Sequence, residues 1–328
     1  MRQAGRYLPE YQALRRRYSF LELCENAGAA TEATLLPVEI LDLDAAILFS
    51  DIMVPVRAMG LDVEFDPGPK LVRPVRTAAD VARLSPPDAL ATMPFVAEAI
   101  REIRRRLGGR CPLIGFAGAP FTLAAYVVEG GHSKTFSRAL SLLHGEPATL
   151  EALLDVLAET VVRHLEMQVR AGVDAVQLFD TWAGLLSEDA YRRFELPVVR
   201  RIATTIASQG VPVVLYANGA SHLLAAMAES GATVLSVDWR LPLDRVRSIV
   251  GDGVALQGNL DPFALHASPQ AIKEAVEDVL RRAGRTGHVF NLGHGIHPEA
   301  PLDGVRAMIR AVKDISSDHA RMEKEKAS

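Results

Sequence analysis

Pro112-Leu113-Ile114-Gly115-Phe116-Ala117-Gly118-Ala119-Pro120 holds the fold in miniature: a short apolar run closes on a Gly-Ala-Pro turn, and a segment of helical periodicity follows. The same order recurs on both sides of it. Strand-like runs lie at 45–50, 112–118, 175–180, 211–217, 234–239, 254–259 and 288–293, each ending in a polar or glycine-rich turn. Helical stretches at 94–107, 150–171, 188–208 and 271–282 separate them. Regular alternation of this kind predicts parallel βαβ units. Ser268 before Pro269 reads as an N-cap followed by a first-turn proline, and Ser187 precedes the helix-start acids Glu188 and Asp189.

Closed parallel barrels are built from eight strands, and seven strand signals are found. The reading is therefore a single (β/α)8 barrel of the TIM type over residues 1–328, truncated at or before its first strand. A strand ending near Met1 would place Arg2 at a strand's carboxyl end. Asp51, Gly118-Ala119-Pro120, Asp180-Thr181, Asn218, Asp238, Asn259-Leu260-Asp261 and His294 also fall at or just after strand ends. In a barrel, that face gathers catalytic groups. The rival is a doubly wound open sheet, but no G-x-G-x-x-G follows the first strand and no P-loop occurs. Residues 62–75, with Pro67, Gly68, Pro69 and Pro74, read as an excursion from the barrel, and 316–328 as a charged tail expected to fray.

Composition excludes several classes of function. At 49% hydrophobic and 23% charged residues, with a net charge of -4, the chain reads as a globular protein without a bulk bias toward nucleic acid. No run approaches the roughly 18 apolar residues of a membrane-spanning helix, so no membrane partner is expected. Cys24 and Cys111 are too few for a disulfide framework, which makes the cytoplasm the default address.

Five ordered segments carry a more specific signal. They are Arg2-Gln3-Ala4-Gly5-Arg6-Tyr7-Leu8-Pro9-Glu10-Tyr11, then Phe49-Ser50-Asp51-Ile52, then Gly115 through Pro120 with Tyr126 through Gly131. Leu256-Gln257-Gly258-Asn259-Leu260-Asp261-Pro262 and Asn291-Leu292-Gly293-His294-Gly295 complete the series. Together they resemble the uroporphyrinogen decarboxylase family across nearly the whole chain. The resemblance implies a (β/α)8 barrel that forms a homodimer. It also implies removal of the carboxyl group from each of the four acetate side chains of uroporphyrinogen, giving coproporphyrinogen, with no metal or organic cofactor.

Loss of carbon dioxide from an acetate on an electron-rich pyrrole would leave a carbanion, so the ring must first be protonated to act as an electron sink. By the resemblance, Asp51 is the central group that accepts hydrogen bonds from pyrrole N–H groups and stabilises the cationic intermediate. Its plain alternative is a helix N-cap. Arg2 and Arg6 match the arginines aimed at substrate carboxylates, where guanidinium forks bind two oxygens at once. Arg2 is also a candidate proton donor, although a guanidinium pKa above about 12 opposes that role outside a desolvated site. Tyr126 matches the cleft tyrosine, Thr181 a position where relatives carry Ser or Thr, and His294 the substrate-contacting histidine. Tyr126 and His294 each have a structural alternative, a packed aromatic and a satisfied structural histidine, while the Thr181 hydroxyl can bond to a carboxylate and its added methyl narrows that subsite. His297 three residues on suggests a metal pair with His294, but no third ligand has suitable spacing, so no metal site is expected. The loop Gly130-Gly131-His132-Ser133 is left outside the core site.

Two other functions compete. A related methyltransferase on the same fold would need a zinc-bound thiolate, and neither Cys24 nor Cys111 lies at a strand's carboxyl end. A tetrapyrrole carrier would use the arginines without needing a central carboxylate, against which Asp51 argues.

Overall fold

The computed structural model describes residues 5–65 and 68–327. Its strands are β1 Ala46–Ile47, β2 Val63–Phe65, β3 Pro69–Leu71, β4 Leu113–Gly118, β5 Ala175–Asp180, β6 Val213–Ala217, β7 Val234–Ser236, β8 Ala255–Leu260 and β9 His288–Leu292. Seven of them form one sheet in the order β1-β4-β5-β6-β7-β8-β9, with every neighbouring pair parallel. Helices connect them, as the alternation requires. The expected strand end at Met1 and Arg2 lies outside the described residues. Among the described residues β1 and β9 are the two edges of the sheet.

The sheet is strongly curled, and side chains that meet across its concave face demonstrate it. Gln257 Nε2 on β8 donates to Gln177 Oε1 on β5 at 3.3 Å, although two strands intervene in the sheet. It also reaches Ser236 Oγ on β7 at 3.0 Å. The Tyr216 hydroxyl on β6 donates to the Gly293 carbonyl beyond β9 at 3.2 Å. A flat sheet with strands about 4.8 Å apart could make neither cross-face contact.

β5 coincides with the expected 175–180, and the helix Pro94–Leu107 coincides with 94–107. β1 is much shorter than 45–50 because the chain leaves the sheet early, and the Phe49 N–H turns to Thr34 Oγ1 at 2.8 Å. Helical residues begin at Glu188 and run to Ala207, but Tyr191–Glu195 form a π-helical turn within that stretch. The last helix continues as Leu302–Ala327 through the segment expected to fray. The excursion at 62–75 contains the antiparallel pair β2–β3. It is pinned to the end of the helix Pro120–Glu129 by the Leu71 N–H to the Gly130 carbonyl at 3.0 Å and the Val75 N–H to the Val127 carbonyl at 2.9 Å.

The early departure of β1 leaves a gap that a side chain fills. Pro112 and Ile114 give their carbonyls to β1, accepting from Ala46 and Leu48, so Phe116 has the parity to face the same side. No β1 residue reaches it. Gln168, fully buried in the helix Pro147–Ala171, accepts from the Phe116 N–H at 2.9 Å and donates to the Phe116 carbonyl at 2.8 Å. Gly115 makes this possible, since a Cβ there would lie 2.3 Å from Gln168 Oε1. Replacing Gln168 with Leu would strand two buried backbone groups, each costing roughly 1–3 kcal/mol. Gln168→Leu is expected to lower the unfolding free energy by about 2–4 kcal/mol in urea titrations, without changing the secondary structure content.

Candidate active site

Parallel strands all end on one face, and the carboxyl ends of β1, β4 and β5 open onto a cleft of about 860 Å3. Arg6, Asp51, Tyr126, Thr181 and His294 all line it. These five residues come from widely separated segments, and folding brings them to one cavity of a size suited to a large organic ligand. Arg2 lies outside the described residues.

Asp51 stands four residues past β1, in the loop before the helix Val54–Ala58. Its Oδ1 accepts from the Met53 N–H at 2.9 Å, which fixes the carboxylate's orientation at the cleft. The capping alternative is thus partly realised: Asp51 closes the turn, while the helix's own N-cap, Met53, has no side-chain cap. One carboxylate can do both, because its two oxygens together offer about four acceptor sites. Gly118 lets this loop come close to β4, since a Cβ there would lie 3.1 Å from the Ile52 Cβ.

Tyr126 sits in the helix Pro120–Glu129, almost buried, with its ring edge-on to Phe136 at 5.8 Å and Trp182 at 6.2 Å. The packed-aromatic alternative is therefore real, yet the residue still borders the cleft. Thr181 and Trp182 follow the last residue of β5 directly. His294 follows β9, with its ring 6.0 Å from Tyr216 and 6.4 Å from Trp239. Its Nδ1 accepts from the Gly295 N–H at 2.6 Å, which assigns the proton of the neutral ring to Nε2.

Several lining residues were not among the sequence candidates. Tyr11, Phe20, Phe49, Phe65, Phe116, Phe179 and Trp182 make much of the wall aromatic. Arg15 also lines the cleft, but its guanidinium donates to the Tyr18 carbonyl at 2.8 Å and lies 5.5 Å from the Phe20 ring centre. Helical phase offered a signal, because Arg15 lies one turn beyond the buried Tyr11. His132, from the glycine-rich loop left outside the site, is a lining residue. So are Gly68 and Pro69 of the excursion, which meets that loop through the bridge between Lys70 and Gly131.

Electrostatics divide the acids into two groups. Asp51 lines open space, whereas Asp180 and Glu195 are completely buried behind the cleft wall. Burial pushes the Asp180 carboxyl up to about 7 and holds Glu195 well above the ordinary carboxylate range, with the neighbouring Asp180 charge adding to it. Burial also raises the Cys24 thiol far above its usual value, and the negative charges of Asp51 and Glu25 raise it further. Cys111, just before β4, lies at the opposite end of that strand from the cleft. No group of three or more His, Cys, Asp or Glu residues able to hold a metal ion occurs among the described residues.

A curled parallel sheet with helical connections, and a cleft at its strand ends lined by a carboxylate, a guanidinium, a phenol and an imidazole, define an α/β enzyme of the TIM-barrel-like class. The uroporphyrinogen decarboxylase (URO-D) family model matches residues 1–315. The chain belongs to the uroporphyrinogen decarboxylase family. It is 49% identical over 327 residues to the uroporphyrinogen decarboxylase of Cellvibrio japonicus, covering 97% of this chain and 92% of that one. With the uroporphyrinogen decarboxylase of Hydrogenovibrio crunogenus it shares 47% identity over 324 residues, covering 96% and 92% of the two chains. A methyltransferase from Methanosarcina mazei superposes with a TM-score of 0.80 at 25% identity, over 92% of this chain and 90% of that one.

The cysteine environments yield a direct test. A raised thiol pKa in a buried site suppresses the reactive thiolate, and Cys111 is the more exposed of the two cysteines. Alkylation of the folded protein at mildly alkaline pH, followed by peptide mass mapping, is expected to label Cys111 well before Cys24. Cys24 should become reactive only on unfolding.

Proposed function

We propose that this chain is a carboxy-lyase that removes the four acetate carboxyl groups of uroporphyrinogen III, giving coproporphyrinogen III and carbon dioxide in tetrapyrrole biosynthesis. The observation that carries this reading is the meeting of Arg6, Asp51, Tyr126, Thr181 and His294 around one cleft in a chain of this family. We extend it to a single-domain cytoplasmic homodimer that works without a metal or organic cofactor. No helix among the described residues is long and apolar enough to cross a membrane.

The chemistry follows from charge. The substrate bears eight carboxylates around a ring of pyrrole N–H donors, so it needs cations at its rim and an acceptor at its centre. Arg6 supplies a fork for a rim carboxylate, with Arg2 as its counterpart in the same role. Asp51, oriented by the Met53 N–H, accepts from the pyrrole nitrogens. When a proton adds to the α ring carbon beside the one bearing an acetate, positive charge spreads over that pyrrole, including the acetate-bearing carbon, and Asp51 stabilises it at short range. Aromatic walls lower the local dielectric and strengthen this interaction. The C–C bond to the carboxylate then breaks, its electron pair neutralises the ring cation, and carbon dioxide leaves. A second proton then adds to the exocyclic methylene carbon so formed and the first leaves the ring carbon, which restores the pyrrole, so one proton in all replaces the lost carboxyl group. Arg2 is the proposed proton donor in this reading, while Tyr126, Thr181 and the Nε2–H of His294 orient the remaining polar groups.

An anaerobic assay with reduced uroporphyrinogen III, resolving products with seven to four carboxylates, tests the proposal. Asp51→Asn keeps a hydrogen-bonding side chain but removes the charge, and kcat is expected to fall by about 10²–10³-fold. Normal turnover by a folded Asp51→Asn protein would leave the carboxylate with its turn-closing role alone. Arg6→Lys keeps charge but loses the fork, and KM is expected to rise about tenfold, the equivalent of one weakened charge-assisted hydrogen bond. Chelator-treated enzyme should keep its activity; loss that zinc restores would favour a methyltransferase-like use of the fold instead.

A further inference from the structure

Directly behind the cleft, Asp180 and Glu195 are both 0% exposed, and neither carries out a step of the proposed chemistry. Each is held by one oxygen. Asp180 Oδ1 accepts from the Thr122 hydroxyl at 2.8 Å, and Glu195 Oε2 accepts from the Phe121 N–H at 3.0 Å. Their other oxygens, Asp180 Oδ2 and Glu195 Oε1, are buried without a partner, as is the Tyr191 hydroxyl. The two carboxyl groups are close enough to interact directly.

Two ionised carboxylates could not satisfy this arrangement, because both are acceptors only and both would carry charge away from water. Among the described residues, no cation acts on either group. The π-helical turn brings Tyr191, which feels both acids and is itself held neutral by burial. The helix Pro120–Glu129 brings a backbone N–H and a hydroxyl. On the long helix Pro147–Ala171, Glu151 is paired with Arg193 on the exposed surface, and burial lowers His164 to about 4, leaving it neutral. One proton between the acids turns two orphan acceptors into a donor–acceptor pair.

We propose that Asp180 and Glu195 share a proton at neutral pH, and that this hydrogen-bonded acid pair positions the strand end carrying Thr181 and the helix carrying Tyr126. The connections are short. Thr122 donates to Asp180 and accepts from the Trp182 N–H at 3.1 Å, while the Ala119 N–H donates to the Phe179 carbonyl at 3.0 Å. Glu195 ties the start of the same helix to the turn 191–195. Three elements therefore meet at the pair, and two of them carry residues of the cleft wall. Both acids are positioning residues that act through Thr181, Trp182 and Tyr126. Only the effect on substrate rests on the proposed function; the shared proton does not.

The test begins without substrate. At neutral pH nearly every other carboxyl is ionised, so the wild-type infrared spectrum should show a protonated-carboxyl C=O band that shifts in deuterated water and disappears in Glu195→Gln. Absence of that band in the wild type would overturn the shared proton. The pH dependence of stability supplies a second arm. A folded-state pKa above the unfolded value makes wild-type stability fall as pH rises from about 4, where unfolded carboxylates titrate, through the folded value, about 7 for Asp180. Glu195→Gln keeps the acceptor for Phe121 and a permanent donor for Asp180, so its stability relative to wild type should increase across that window. A pH-independent difference would contradict the proposal. With uroporphyrinogen, Glu195→Ala should raise KM severalfold and Glu195→Gln should restore it; equal KM values in the alanine, glutamine and wild-type proteins would remove the positioning role alone.

Discussion

Parallel hydrogen bonding makes every strand of a sheet run the same way, and much of this molecule is organised around that constraint. Because β1, β4, β5, β6, β7, β8 and β9 are parallel, their carboxyl ends share one face, and each connection must cross back as a helix on the outside. Curling the sheet then turns that face into a bowl. The Gln257–Gln177 contact and the Tyr216–Gly293 contact are signs of the curl, and Tyr216 also stands beside His294. Residues far apart in sequence meet because strand direction leaves them no other side to emerge on.

Charge within the bowl is managed in two ways. Asp51 is placed where a ligand can reach it and is oriented by one backbone N–H. The acids behind the wall are shut off from solvent with no cation acting on them among the described residues, so burial favours their protonated form. In the proposed reading, a carboxyl at the cleft binds a cationic centre, whereas carboxyls behind its wall brace a strand end. The aromatic residues separate these environments. Between the glycine-rich loop and the end of β5, Tyr126 packs edge to face against Phe136 and Trp182, and those two rings tilt against each other at 4.5 Å.

The alternation around 112–120 made the parallel sheet legible, and Ser268 and Ser187 marked two helix starts that the structure caps as expected. Asp51, Tyr126, Thr181 and His294 could be named because strand ends and family motifs point to them. Other features depend on pairings that a linear pattern does not contain. β1 is short because Thr34 takes the Phe49 N–H, and Gln168 replaces the missing neighbour from more than fifty residues away. His132 reaches the cleft because the β2–β3 hairpin docks on its loop, a tertiary event that glycine content alone cannot specify. Asp180 was visible as a strand-end acid, but its partner Glu195 lies on a π turn inside what periodicity reads as one continuous helix. A local change in helical winding leaves little trace in an apolar pattern, so that pairing was not legible.

The proposed function requires Asp51 to be the anchor at the centre of a tetrapyrrole ring. An anaerobic crystal structure with bound coproporphyrinogen III tests this most directly. The expected result places the macrocycle in the cleft with its pyrrole nitrogens within about 3 Å of the Asp51 carboxylate, and with a rim carboxylate on the Arg6 guanidinium. A macrocycle bound outside the cleft, or one inside it with its nitrogens turned away from Asp51, would contradict the account.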